Sequence, residues 1–341
     1  MKPHRFFLLA ILAILLLFIA NLAWGSVKIP FDAIVDICLG REPEKSSWRF
    51  IILESRLPQA ITALLAGASL ATAGLMLQTT FNNPLAGPSI LGVSSGAGVG
   101  VALVMLLLGG TIGGSAFLLT GTLAVLLGAM VGALLVLGII IAFASVVKSN
   151  LMLLIIGIMV GYIASSVISL LNFFSTVEGV FSYTIWGLGD FSSIPMSQIP
   201  FFCGATLVGL LAALLLIKPL NALLLGERYA ANLGVNVRLI RICLLLCTGW
   251  LTAIVTAYCG PIAFIGLAVP HIARLLLRSS NHSWVLPATM LSGSAVALAC
   301  NFLCVLPGGW GIIPLNAVTP LFGAPVIIYI LVNQRKIQYF N

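Results

Sequence analysis

The chain has 341 residues, 61% of them hydrophobic and only 7% charged, with a formal net charge of +8 and a mean hydropathy of +1.19. A water-soluble domain carries about 25% charged residues, so a soluble globular fold is excluded and lipid must surround most of this protein. The basic residues stand singly between apolar runs, which excludes a nucleic-acid-binding patch and suits juxtamembrane positions in a lipid bilayer.

Long stretches carry no Asp, Glu, Lys or Arg at all: Leu57–Val147, Ser149–Val177, Phe191–Ile217, Ile242–Ala273 and Ser279–Gln334. Runs of about 20 apolar residues cross the hydrocarbon core as helices, because a helix satisfies its own backbone groups. Divided at Pro, Gly and Asn clusters, the chain is predicted to be all-α with ten spans. They lie near 6–27, 57–79, 89–108, 114–145, 150–173, 196–217, 239–259, 262–277, 285–305 and 312–333. The first run follows a basic Lys2-Pro3-His4-Arg5 start. It is longer than a signal-peptide core and no small-x-small site precedes Trp24, so it is expected to remain as a span.

The charges set an orientation. With the N-terminus inside, 11 of the 16 basic residues are cytoplasmic: Lys2, Arg5, Lys148, Lys218, Arg228, Arg238, Arg241, Arg274, Arg278, Arg335 and Lys336. Lys28, Arg41, Lys45, Arg49 and Arg56 fall outside, as do all the acids except Glu227. The basic bias decides orientation, and an even number of spans puts both termini in the cytoplasm. Residues 1–341 thus read as one transmembrane domain, with an outer loop near 28–55 and a cytoplasmic loop near 218–236.

Catalysis is not expected. The chain lacks H-E-x-x-H and has no carboxylate within a span, so an acid–base pair at depth is missing. The Cys-x3-Cys pairs Cys243/Cys247 and Cys300/Cys304 lie inside apolar runs, and the only histidines are His4, His271 and His282. That is too few ligands for a metal site, and no cofactor is expected. Cys38 lies in the outer loop without an evident partner. Proton- and sodium-coupled carriers usually keep a carboxylate or histidine relay at the midplane, and no P-loop is present. Such a carrier is a facilitator or channel, or a partner drives it.

The loop Lys218–Asn236 is too polar to span and too patterned for a plain linker. Pro219 opens a helix, Gly226 and Gly234 close or separate short ones, and Glu227 suits a helix start. An interfacial helix and a partner-docking element fit this pattern equally.

Ordered blocks then carry a resemblance from about Arg56 to the C-terminus. They are Arg56-Leu57-Pro58; Gly67-Ala68 through Ala73-Gly74 to Gln78; Asn83-Pro84-Leu85-Ala86; and Leu91-Gly92-Val93. Further on come Trp186-Gly187, Leu225-Gly226-Glu227 to Leu233-Gly234, Gly260-Pro261 to Leu267 with Pro270-His271, and Pro314, Thr319 and Gly323-Ala324-Pro325. The chain resembles the FecCD-type permeases of ABC importers for iron chelates and cobalamin. The resemblance implies a homodimer of ten-helix subunits in the bacterial inner membrane. It further implies two ATP-binding cassette subunits on the cytoplasmic side and an extracytoplasmic substrate-binding protein outside. By the family pattern Leu225, Gly226, Glu227, Arg228, Ala230, Leu233 and Gly234 form the ATPase-coupling loop. Asn83, Leu85, Ser149 and Asn150 match positions that narrow the path on the cytoplasmic side, and Arg56 matches a docking contact for the binding protein. The glycine steps Gly92/Gly96/Gly100, Gly128/Gly132 and Gly157/Gly161 are expected to permit close helix packing.

The chain departs from the family on its outer side. Gln59 stands where a second Arg is common, Asn301 and Val305 stand where Asp and Arg are common, and Ile312-Ile313-Pro314-Leu315-Asn316 replaces a Glu-Leu-Pro-x-Gly pattern. Arg41, Lys45 and Arg49 would share a face there if helical. The expected cargo is an iron chelate, siderophore or haem, with cobalamin as the alternative; a partner-independent channel or secondary carrier is the remote one.

Overall fold

The computed structural model describes residues 3–25, 27–109, 111–114, 117–147, 149–305 and 313–332. Lys2, Lys148, Arg335 and Lys336 from the charge count, and Ile312 from the last departure, lie outside the described residues.

Helix α1 (Pro3–Ala23) is followed by the short α2 (Phe31–Cys38) and a long α3 (Ser46–Thr80). A 3-10 turn, Pro88–Leu91, leads into α4 (Val93–Leu107). The strands β1 (Thr111–Gly114) and β2 (Phe117–Thr120) pair antiparallel before α5 (Thr122–Val146). Then come α6 (Asn150–Phe174), α7 (Val177–Gly187), α8 (Met196–Leu215), α9 (Ile217–Leu223) and α10 (Glu227–Asn232). The chain continues through α11 (Val237–Cys259), α12 (Ile265–Leu277), α13 (His282–Val305) and α14 (Leu315–Val332).

Seven of these helices (α1, α3, α5, α6, α8, α11 and α13) are long and apolar enough to cross a membrane, and α4, α12 and α14 are shorter apolar helices. Together they are the ten predicted spans. Two local expectations are corrected, and one further helix appears. The fourth span begins at Thr122, because the glycine-rich run before it forms the strand pair and Gly121 turns the backbone at φ +64°. Residues 177–187, between two predicted spans, form a helix started by Thr176, whose Oγ1 accepts the Gly179 N–H at 3.2 Å. The 28–55 segment is largely helical, yet Arg41 and Lys45 precede the helix that carries Arg49, so the three share no helix face.

Burial follows the logic of a lipid solvent. The three most apolar long helices, α1, α5 and α6, have well under half their residues buried, whereas the less apolar α3 is mostly buried. Lipid accepts large aliphatic side chains, so the buried α3 can be richer in small and polar residues than the lipid-facing helices. The hub α3 packs on α13, α11, α12 and α8, with buried Ala60, Ala63, Ala66, Gly67, Ala71 and Gly74 facing its neighbours.

The same helix fixes two faces. Arg56 lies at one end of its membrane-crossing part and Thr80 at the other, about 36 Å away at 1.5 Å per residue. The 28–55 segment adjoins the first end, and α9 lies against the second through α13. Exposed Ser47 and Asn232 therefore sit on opposite faces. In a cysteine-free background, Asn232→Cys should react with an impermeant maleimide only from the cytoplasm, and Ser47→Cys only from outside. Equal labelling of both from outside would overturn the ten-span topology.

Candidate functional site

The 218–236 loop folds as the two short helices α9 and α10. Gly226 (φ +95°) precedes α10 and Gly234 (φ +83°) follows it, and nothing lies within 4 Å of where either would carry a Cβ. Both glycines are therefore set by backbone conformation and not by packing. Ala230 is fully buried and anchors α10. Leu225, Tyr229 and Leu233, four residues apart, are each more than half exposed, and Arg228 is exposed beside them. Tyr229 and Leu233, one helical turn apart, share a face of α10, and Leu225 is exposed just before Gly226, so the loop presents three large apolar side chains beside a cation.

Glu227 ties the loop to the helices. Its Oε1 accepts from Arg241 Nη2 at 2.6 Å and from Asn150 Nδ2 at 2.8 Å. Thus one coupling-loop residue meets one of the expected path-narrowing residues. The Arg241 side chain is only 9% exposed while Glu227 keeps 41%, so the pair is dry on one side and wet on the other. The sequence reading missed Arg241. Its signal was a cation in the first turns of a helix, where the dipole disfavours positive charge unless an acid is near. Ser149 caps α6, its Oγ accepting the Met152 N–H at 3.4 Å.

The other expected narrowing residues lie in the turn after α3. Asn83 Oδ1 accepts the Leu85 N–H at 2.9 Å, and Asn83 N–H reaches back to Gln78 O at 3.0 Å. Asn82 holds φ +46° and Leu85 points outward, 40% exposed. His271 Nε2 donates to Pro84 O at 2.8 Å, and Gln78 is gripped by Arg274 Nη1 at 2.9 Å while donating to Leu267 O at 3.1 Å. No hydrogen bond joins Asn83 or Leu85 to Ser149 or Asn150 among the described residues.

At the far face lies Arg56. It is 6% exposed, and its Nη1 donates to Leu22 O at 2.7 Å and Ala23 O at 3.0 Å, with Nη2 donating to Val27 O. These are the open carbonyls at and just beyond the end of α1, which a guanidinium satisfies well. Within the subunit its donors are turned inward to these carbonyls. The departures are internal too. Gln59 Nε2 donates to Asn301 Oδ1 at 3.0 Å, and Asn301 Nδ2 donates to Asn21 Oδ1 at 2.7 Å. Asn21 in turn donates to Leu298 O at 3.0 Å. Two positions commonly charged in the family thus form one neutral amide ladder across α3, α13 and α1. Asn316 ties the start of α14 to the α11–α12 loop and to the end of α7, accepting from Ala263 N–H at 3.0 Å and donating to Pro261 O at 2.6 Å and Gly187 O at 3.2 Å. Val305 is half-buried.

The run Gly92-Val93-Ser94-Ser95-Gly96 has the spacing of a nucleophile elbow. Ser94 lies in the first turn of α4 and its hydroxyl pairs with Thr256 Oγ1 at 3.3 Å, not with a base.

The sequence matches the FecCD transport family over residues 12–333. It is 37% identical over 287 residues to the vitamin B12 import system permease protein BtuC of Klebsiella pneumoniae, and 35% identical over 289 residues to that of Salmonella typhi. Each comparison covers 84% of both chains. Among solved structures, a metal-chelate type ABC transporter in an inward-facing conformation superposes with a TM-score of 0.84 at 28% identity, covering 97% of this chain and 100% of that one. PsaBC from Streptococcus pneumoniae shares the fold at a TM-score of 0.54 and 18% identity, covering 80% of this chain and 90% of that one. Ten apolar helices, a two-helix loop at one face and a match over nearly the whole length agree: the chain belongs to the FecCD transport family and is a multi-pass ABC importer permease of the bacterial inner membrane.

Proposed function

We propose that this permease imports cobalamin, as a homodimer that receives its cargo from a binding protein and is driven by two ATPase subunits. The observation that carries the cargo is the naming of the relatives. Permeases for vitamin B12 match at 34–37% identity over 84% of both chains. This reverses the order expected from sequence, in which an iron chelate came first. The iron-chelate reading stays second, supported by the metal-chelate type transporter that superposes over nearly the whole chain.

The ATPase grips the loop made by α9 and α10. The exposed Leu225, Tyr229 and Leu233 edge supports this reading, as does the anchoring of Glu227 to α6 and α11. Asn83, Leu85, Ser149 and Asn150 line the narrowing at the same face. The binding protein docks on the opposite face, where Arg49 is exposed while Arg56 is committed inside.

The test is direct. The cognate binding protein, offered cyanocobalamin, a ferric hydroxamate siderophore and haem, should retain cyanocobalamin. The reconstituted complex should then import it into vesicles only with internal ATP. Retention of the siderophore or haem alone would replace the cargo while keeping the permease; uptake undiminished without ATP would remove the ATPase from the mechanism.

A further inference from the structure

A polar chain centred on a buried histidine joins the loop to the turn that carries Asn83 and Leu85. His282, the first residue of α13, is 0% exposed and lies between α9 and the last turn of α3. Asn221 of α9 reaches it from one side: Asn221 Oδ1 accepts the His282 backbone N–H at 2.7 Å and faces ring Nδ1 at 3.1 Å. Thr79 Oγ1 of α3 reaches ring Nε2 from the other side at 2.9 Å.

The orientation of the Asn221 end of this chain is determined. Asn281 Oδ1 accepts the Ser283 N–H at 2.9 Å and Asn221 Nδ2 at 3.0 Å. The amide of Asn221 therefore turns its nitrogen to Asn281 and its oxygen to His282. An oxygen can only accept, so Nδ1 carries hydrogen. In the neutral ring Nε2 accepts from the Thr79 hydroxyl. In the charged ring Nε2 donates to Thr79, whose own hydrogen then passes to Leu75 O at 3.0 Å. The link survives either state.

Beyond Thr79 the link passes to its covalent neighbour Gln78. Gln78 O holds the Asn83 N–H at 3.0 Å, Asn83 holds the Leu85 N–H at 2.9 Å, and His271 pins Pro84 O at 2.8 Å. A displacement of α9 thus reaches the Asn83–Leu85 turn through a joint that is buried at His282 and Thr79 and opens to solvent at the turn itself. The Glu227 bridge differs, since its carboxylate is 41% exposed and solvent can replace its partners.

We infer that His282 is a positioning residue that couples α9 to the Asn83–Leu85 turn, with Asn221 and Thr79 as its two ends. It touches neither cargo nor nucleotide. This rests on the reading of the loop as the ATPase grip. A residue that merely started α13 would affect folding yield; a coupling residue changes how much ATP is spent per cargo molecule.

The experiment uses the full complex of permease, ATPase and binding protein in liposomes, with cyanocobalamin or the ferric siderophore, whichever the binding protein retains. The readout is ATP hydrolysed per chelate imported. His282→Phe keeps the ring and removes both nitrogens, and Thr79→Val keeps the shape and removes the hydroxyl. Each should raise the ratio at least about fivefold, the lower range of coupling between sites, while the complex still assembles. The double variant should be no worse than the worse single one, because both cut the same link, and Thr79→Ser should restore the wild-type ratio. Wild-type ratios in both single variants, or effects that multiply in the double, would overturn the inference. If His282→Phe fails to fold, Thr79→Val and its serine rescue decide by the same ratio. A wild-type complex that does not couple hydrolysis to import would instead sink the ATPase reading itself.

Discussion

Replacing Gly74 with leucine is expected to abolish the folded permease. Gly74 lies in the last third of the membrane-crossing part of α3, where that helix meets α12 backbone to backbone. A Cβ at this position would stand 2.9 Å from Gly266 Cα and closer still to the Gly266 carbonyl. The obstacle is main chain, so no rotamer change relieves it, and the helices must separate. Overpacking costs about 1–3 kcal/mol when side chains can adjust and more when they cannot. Against a total stability of about 5–15 kcal/mol, and with α3 touching four neighbouring helices, the variant should vanish from the monodisperse peak in detergent size-exclusion. Gly138→Leu is the control, on the exposed side of α5 with nothing within 4 Å, and should elute like wild type. If Gly74→Leu matched that control, α3 and α12 would not pack as described.

Glu227→Lys is expected to give a folded permease that no longer holds its ATPase. The substitution removes the acceptor of Arg241 and Asn150 and sets a second cation against a guanidinium that is 9% exposed. Breaking a fully buried pair costs about 3–5 kcal/mol. Glu227 keeps 41% of its side chain in contact with solvent, so screening brings the loss nearer to about 1–2 kcal/mol. That is enough to release α10 from α6 and α11 but not to unfold ten packed helices. Co-purification with the ATPase and cargo-stimulated hydrolysis should fall together, with the permease peak unchanged. Glu227→Gln keeps a neutral oxygen for both donors and should fall between the two. If Glu227→Lys retained wild-type co-purification and hydrolysis, the loop would be an interfacial helix lying on the membrane.

Much of this molecule was legible along the chain because its signals are local. Apolar runs with no charge set the ten spans, since each helix answers to the bilayer by its own length and composition. Gly226 and Gly234 bounded α10 because positive φ is a property of single residues. The repeated steps Gly96/Gly100 and Gly128/Gly132 announced a close contact, and α4 and α5 meet there: a Cβ at Gly100 would lie 2.6 Å from Gly128 C. The short α7 escaped because eleven residues satisfy no spanning criterion.

Partnership among polar residues was decided only by the tertiary structure. Gln59 and Asn301 each looked like a lost charge, yet they are bonded to each other across 242 residues of sequence. Thr79 and His282 are 203 apart. A buried polar side chain is costly without a partner, so such residues in an apolar run hint at a contact. The sequence carries no period or spacing that says which one. Arg56 shows the same limit: its position promised an outward charge, and only the approach of the α1 C-terminus turned that charge inward, because open carbonyls nearby bind a guanidinium in a setting where water cannot.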